Sequence, residues 1–341
     1  MNLLFFLLFV SCTGEVDDDP FQPPPPPPSL LNVHNTWTSG LPFRYLMTFH
    51  ACDVTRTDCM DPWLHQTFVA ASNDGKKWEY FNRFEPFSSS VPDPLVRDGT
   101  LHIYALPSQR RLRLKDGKVL KSKRVEVLDE NNQRVMHVDP SAIVDDKGRI
   151  VLFFLGGSVG QDPATCPRTN PNCKKIFRSA TEIEGSEGLR FRLDPGIRAQ
   201  VQMDQGSRYA SDPDIFVGPG GFYLYVSRGQ GTQVFFSKEL RGDYIVLNGL
   251  PGGMLTYNGG GVGSGHYDRE SGMFWTYVTK HIGQAAGAKR KTEIHMAIHK
   301  DFSRPLGSRD FRPVIRGGDF FTDNYTTASP GFFAFPDSAV R

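Results

Sequence analysis

Three aspartates are each followed by proline and then by the same kind of segment. They are Asp93 in VPDPLVRDGTLHIYAL (91–106), Asp139 in VDPSAIVDDKGRIVLFF (138–154) and Asp212 in SDPDIFVGPGGFYLYVS (211–227). Carboxyl groups gathered at one place can do acid–base work without any other residue type, because neighbouring acids push one another's pKa apart. One then stays protonated while the other ionises.

Such chemistry requires an architecture that brings the three segments together. Each opens with Asp-Pro, passes through apolar residues, turns at a Gly-containing stretch and continues as an aromatic and β-branched strand, which reads as one hairpin in three copies. Proline sits comfortably at the first residue of a strand and holds the residue before it extended. A second repeated element, 68–81, 176–191, 234–246 and 294–306, supplies two further strands per unit. Radial repetition of four-stranded units is a β-propeller, in which equivalent strand ends converge on one axis.

The blade count follows from the ends of the repeat. Residues 43–84 hold later strands with no Asp-Pro hairpin before them, and ASPGFFAFPDSAV (328–340) is an opening strand with no blade behind it. Joining them closes a ring and leaves no free edge. With a further opening strand in GGGVGSGHYDRESGMFWTYV (259–278), the expectation is an all-β, five-bladed propeller over 34–341. A composition of 34 Gly, 25 Pro, 26 Phe and 11 Tyr agrees with a turn-rich, aromatic β fold.

The first 33 residues read as something other than a folded domain. LLFFLLFV (3–10) is too short to span a bilayer but has the length of a signal-peptide core, so 1–11 reads as a signal peptide. Ser11-Cys12-Thr13-Gly14 follows it and resembles a bacterial lipobox, with Cys12 as the lipidated residue. The segment 12–33 is acidic and then proline-rich, the composition of an extended stalk. The expected location is the outer membrane or cell surface as a lipoprotein, or the periplasm or exterior, with membrane contact only through the anchor.

Four cysteines remain, in two C-x6-C pairs, and local pairing of Cys52 with Cys59 and of Cys166 with Cys173 is the simplest of three connectivities. An oxidising compartment fits this arrangement. Metal binding is the rival use, but neither pair brings the His or further Cys that a zinc site wants. The net charge of +2 gives no argument for nucleic acid. The basic run 115–124 has acids on both sides and reads as a solvated hairpin.

The Asp-Pro openings together with Gly263-Ser264-Gly265-His266 resemble the five-bladed propeller glycoside hydrolases, especially family 43 and its relatives, across most of 40–341. The Gly-Ser-Gly-His stretch is similar to the family's Gly-Pro-Gly-His in its last blade. The resemblance implies a poly- or oligosaccharide substrate and an inverting mechanism using an Asp base, a second Asp that orients substrate, and a Glu acid. It also implies an axial His beside a bound calcium ion. By blade order Asp139 matches the orienting Asp, His266 the axial His, and Asp212 falls where the family has its Glu. Ser329 stands in the place of the base, and Asp93 lies in a blade where the family has no fixed catalytic role.

Other residues are candidates for substrate contact: Asp214 on the same strand face as Asp212, Arg208 and Tyr209 just before the third Asp-Pro, and Trp37 and Trp63 as stacking platforms. Asp61-Pro62 breaks the blade register and reads as a loop. The competing class is a non-catalytic surface propeller that binds glycan or a protein partner, which explains the missing Glu more simply. A sialidase-like propeller is disfavoured, since SNDGKKW (72–78) is one residue short of the S-x-D-x-G-x-x-W box and has no clear second copy.

Overall fold

The structure is a computed structural model. It describes residues 43–55, 59, 61–81, 84–106, 108–114, 116–156, 174–202, 209–282 and 291–335. The proposed signal peptide, Cys12, the stalk, Trp37, Cys166, Cys173 and Arg208 lie outside the described residues.

Five antiparallel sheets form a five-bladed β-propeller. Blade 1 runs from axis to rim as Tyr325–Ala334, Tyr45–Asp53, Gln66–Ser72 and Glu79–Tyr80. Blade 2 is Ser90–Arg97, Thr100–Leu106, Ser108–Arg113 and Lys118–Arg124, so the basic run is its outermost hairpin strand. Blade 3 is His137–Val144, Ile150–Gly156, Lys174–Glu182 and Arg190–Leu193, with Glu126–Leu128 added in parallel at its rim. Blade 4 is Ser211–Gly218, Gly221–Ser227, Thr232–Ser237 and Ile245–Val246. Blade 5 is Gly261–Asp268, Met273–Ile282, Lys291–His299 and Arg312–Ile315. Its rim strand therefore comes later than the expected 294–306.

Closure is as the termini of the repeat require. Tyr325–Ala334 pairs with Tyr45–Asp53, with Tyr45 opposite Ala334 and Asp53 opposite Tyr325. The five innermost strands touch in sequence around the axis and the fifth meets the first. Cys52 and Cys59 form a disulfide at the end of the second strand of blade 1.

Blades pack face to face, so a strand enclosed on both faces, such as Ile150–Gly156, reads as an unbroken apolar run rather than an alternating one. In Ile150–Gly156, Ile150, Leu152 and Phe154 pack against blade 2, while Val151, Phe153 and Leu155 pack against blade 4. Tyr223 and Tyr225 face blade 5, and Leu224 and Val226 face blade 3. The five hydrophobic clusters are the five seams between blades.

Candidate active site at the axial mouth

Every innermost strand is broken at one place. The pairing register shifts between Ser90 and Asp93, Val138 and Ser141, Ser211 and Asp214, and Gly261 and Ser264, with a matching irregularity in blade 1. At each break one residue has left-handed backbone: Val91 (φ 50°), Asp139 (54°), Asp212 (47°), Val262 (46°) and Ser329 (52°). These are β-bulges, and they define which residues are equivalent.

The bulges correct the alignment of the repeats. Asp139 and Asp212 occupy the same position, as expected, but the residue of blade 2 at that position is Val91. Asp93 stands two residues further along, level with Ser141, Asp214 and Ser264. The sequence Val91-Pro92-Asp93-Pro94 contains two X-Pro steps, and the first of them matches the Asp-Pro of the other blades. The three aspartates therefore do not form one ring of equivalent acids.

The inner level carries a structural stitch. Asp93 Oδ2 accepts the Ala142 N–H of blade 3 at 2.7 Å, Ser141 Oγ accepts the Ile215 N–H of blade 4 at 3.1 Å, and Asp214 Oδ2 accepts the Gly265 N–H of blade 5 at 2.8 Å. Ser264 Oγ also donates to Asp214 Oδ1 at 2.9 Å. In blades 2, 3 and 4 one side chain thus satisfies a backbone donor of the next blade, as buried donors require. Burial raises the Asp93 pKa well above the ordinary range, and the Asp214 charge adds to it, against the hydrogen bonds from Ala142 and Ser141. Asp214 is also raised by burial, with its bonds to Gly265 and Ser264 pulling the other way.

The outer level is where Asp139 and Asp212 meet. The Asp212 N–H donates to Asp139 Oδ2 at 3.3 Å, and Ser211 Oγ donates to Asp212 Oδ2 at 2.5 Å. In blades 5 and 1 the bulge N–H is taken instead by a hydroxyl from the second strand of the preceding blade, Ser227 to Val262 and Thr279 to Ser329. The corresponding residue in blade 3 is Leu155, opposite Val138, which has no acceptor to offer. Asp139 does that work with its own carboxylate. Desolvation raises the pKa of Asp139, opposed by the Asp212 N–H and by Lys175. Asp212 is raised further, by desolvation and then by the charge of Asp139, against the Ser211 hydroxyl.

A cleft of about 680 Å³ opens over this level. Val91, Val138, Asp139, Leu155, Lys175 and Ser211 belong to its wall, and Ser88 to Ser90 continue it. Two large aromatic side chains of the lining stand in solvent: Trp63, 73% exposed, and Tyr209, 66% exposed. Trp63 is held by a short 3-10 turn, Pro62–Leu64, capped by Asp61, whose Oδ1 accepts the Trp63 N–H at 3.0 Å. Asp61-Pro62 is thus outside the blade register, as its sequence indicated, and it serves to present an indole.

His266 is placed elsewhere. It lies four residues past the Val262 bulge, where blades 2 and 4 carry Leu95 and Phe216, and it packs among Phe332, Trp275 and Tyr45 with ring centroids 4.9, 5.5 and 6.4 Å away. Burial lowers its pKa to about 4. It does not line the cleft. Among the described residues, no group of three or more His, Cys, Asp and Glu side chains comes together in a way that could hold a metal ion. The residues present therefore do not fit the calcium ion that the resemblance implied.

The sequence reading missed two histidines at the cleft. His50 and His65 stack with ring centroids 3.9 Å apart, and both approach the Ser90 hydroxyl. His50 comes from the second strand of blade 1 and His65 from the loop before its third, outside the Asp-Pro hairpins that mark the innermost strands. Only the register of the ring brings them to Ser90.

No protein-family model matches the chain, and no curated protein matches it. Among solved structures, a xylan β-1,4-xylosidase from Bacillus halodurans aligns at 15% identity and TM-score 0.45 over 70% of this chain, which spans 51% of that one. The GH43_1 enzyme from Xanthomonas citri complexed with xylotriose aligns at 14% identity and TM-score 0.44, over 89% of this chain and 87% of that one. Zg3597, a family 117 glycoside hydrolase from Zobellia galactanivorans, aligns at 18% identity and TM-score 0.36, over 57% and 60% of the two chains. These are likenesses of fold, and the chain spans about half the length of the Bacillus xylosidase.

Proposed function

We propose that this propeller is a carbohydrate-active glycoside hydrolase in which Asp139 and Asp212 share the acid–base work at the mouth of the axis. The observation that carries this reading is the pair itself: two carboxyl groups on adjacent blades, both pushed up, Asp139 in the wall of a cleft rimmed by Trp63 and Tyr209 and Asp212 hydrogen-bonded to it next to Ser211 of the same wall. Asp212, the more strongly raised, is the proton donor. Asp139, eased toward ionisation by the Asp212 N–H and Lys175, is the carboxylate that activates water or stabilises positive charge at the anomeric carbon. The exposed indole and phenol rings supply flat apolar faces against which a pyranose can lie, with polar groups below to orient it.

A second reading is a glycan-binding propeller without turnover. It is favoured by Asp93 and Asp214, which are committed to backbone donors and leave only two carboxyl groups at the outer level. Turnover of a broad glycan panel by the parent protein, with Asp139→Asn and Asp212→Asn alongside, separates the two. In either case the domain works outside the cytoplasm: it carries the Cys52–Cys59 disulfide, and residues 1–33 read as an export signal, the lipidation site Cys12 and a stalk. No helix among the described residues is long and apolar enough to cross a membrane.

A further inference from the structure

We propose that Ser90 and His65 form a second reactive site on the cleft wall, a nucleophilic hydroxyl with its base, acting on carboxylic esters. The fitting substrate class is the O-acyl esters of a saccharide. Only the saccharide half of that statement rests on the carbohydrate reading above.

The argument begins with tautomers. His65 Nε2 lies 2.9 Å from the Cys59 carbonyl oxygen, which can only accept, so Nε2 carries the hydrogen. The neutral ring then turns its Nδ1 lone pair toward Ser90 Oγ, 3.0 Å away. On the other side His50 Nδ1 faces Ser90 Oγ at 3.4 Å and the Val91 N–H at 3.5 Å, and because the amide can only donate, this Nδ1 is also a lone pair. One hydroxyl hydrogen therefore faces two acceptors, and Ser90 is a residue of the cleft wall.

This is the arrangement of nucleophile, base and orienting acceptor that acyl transfer uses. Burial keeps both rings neutral and competent as bases: desolvation lowers the His65 pKa, while the Cys59 carbonyl and Asp61 pull it back, and desolvation and His65 lower that of His50. The Val91 N–H, one residue after the nucleophile and 3.5 Å from His50 Nδ1, is the donor assigned to an oxyanion in this proposal. Lys175 lines the same cleft. The propeller accounts for His50, which stands opposite Ala328 and takes a bulge N–H as Ser227 and Thr279 do, but not for Ser90 and His65. The residues equivalent to Ser90 are Val138, Ser211, Gly261 and Ala328, and Ser211 gives its hydrogen to Asp212.

The step balances without a co-reactant beyond water. Ser90 Oγ attacks the ester carbonyl carbon as its hydrogen passes to His65 Nδ1. The tetrahedral adduct collapses with loss of the alcohol, which takes that proton, and leaves acyl-Ser90. Water, deprotonated by His65, then releases the carboxylic acid and restores the hydroxyl.

The test treats the full chain with a fluorophosphonate reagent, maps adducts by peptide mass spectrometry, and follows hydrolysis of p-nitrophenyl acetate. The expected result is a single adduct on Ser90, absent in Ser90→Ala, with ester turnover lost in that variant and reduced at least ~100-fold in His65→Gln. Ser90→Ala removes only a hydroxyl, so it decides the matter even if His65→Gln fails to fold. No adduct, an adduct on another residue, or unchanged turnover in Ser90→Ala overturns the proposal. Neither probe contains a sugar, so this failure is distinct from failure of the glycosidic reading.

Discussion

At the scale of single residues, the aspartates divide by the bonds they make rather than by the motif they share. Asp93 and Asp214 each hold a backbone N–H of the next blade at 2.7 and 2.8 Å, while Asp139 holds the Asp212 N–H more loosely, at 3.3 Å. Replacing Asp93 or Asp214 by Asn turns an acceptor into a group that can present a donor to that N–H, and the expected cost is about 1–3 kcal/mol of stability with glycan turnover largely retained. Asp212→Asn should do the reverse, keeping the melting temperature within a few degrees and lowering turnover by about two to four orders of magnitude, whereas Asp139→Asn should lower turnover as much and also cost some stability, since Asp139 holds the Asp212 N–H. Melting curves and initial rates on the same four preparations check this division. All four acids have pKa values raised on folding, so the folded state holds protons that the unfolded state releases. Their contribution to stability is fully present below the ordinary carboxylate range and is lost as pH rises through the raised values. The protein should therefore melt at a lower temperature in mildly alkaline than in mildly acidic buffer, and Asp212→Asn should flatten that slope. An unchanged slope would mean that Asp212 is not protonated near neutrality.

At the scale of elements, the bulge governs what the sequence could and could not reveal. The Asp-Pro hairpins were legible because proline at a strand start and Gly-containing turns leave strong local marks, and four of the five innermost strands were located from them or from the Gly-rich opening at 259–278. The register inside those strands was not legible, since VPDP offers two equivalent-looking X-Pro steps and a one-residue insertion leaves no compositional trace. His266 illustrates the same limit. Its glycine neighbours suggested a ligand site, but Gly265 is there because a Cβ would come within 2.1 Å of the Phe216 ring, so the motif serves blade packing. The bulge also stores strain, as β-branched residues in left-handed backbone cost on the order of 1–3 kcal/mol. Val262, away from the cleft, offers a direct reading of it. Val262→Gly should raise stability by about 1 kcal/mol after the entropy of glycine is deducted, measured by urea denaturation. Gly331→Ala should be destabilising, because the added carbon would meet the Pro92 carbonyl oxygen at 2.4 Å.

At the scale of the whole molecule, closure explains why a chain of repeats has two incomplete ends. Half-blades at 43–84 and 325–335 each expose an apolar edge alone and complete one blade together. Deleting residues 326–341 should abolish cooperative folding, seen as loss of a sharp melting transition, and an unchanged melting temperature would refute the role of that strand. The ring also explains why the Asp139–Asp212 pair is off-centre: the cleft is walled by blades 2 and 3, the approach to blade 4 and the Pro62–Trp63 turn of blade 1, and the bulge residues Val262 and Ser329 take no part in it. Only assembly of the ring sets Asp139 beside Asp212, His65 beside Ser90, and Trp63 and Tyr209 over the opening, and none of these pairings is local in sequence. The most direct measurement is the rate of glycosidic cleavage by Asp212→Asn relative to the parent on the glycan that the parent hydrolyses fastest. A loss of at least ~100-fold with the fold intact is the result expected if Asp212 is the proton donor, and cleavage at the parental rate would contradict the assignment of the Asp139–Asp212 pair as the catalytic centre.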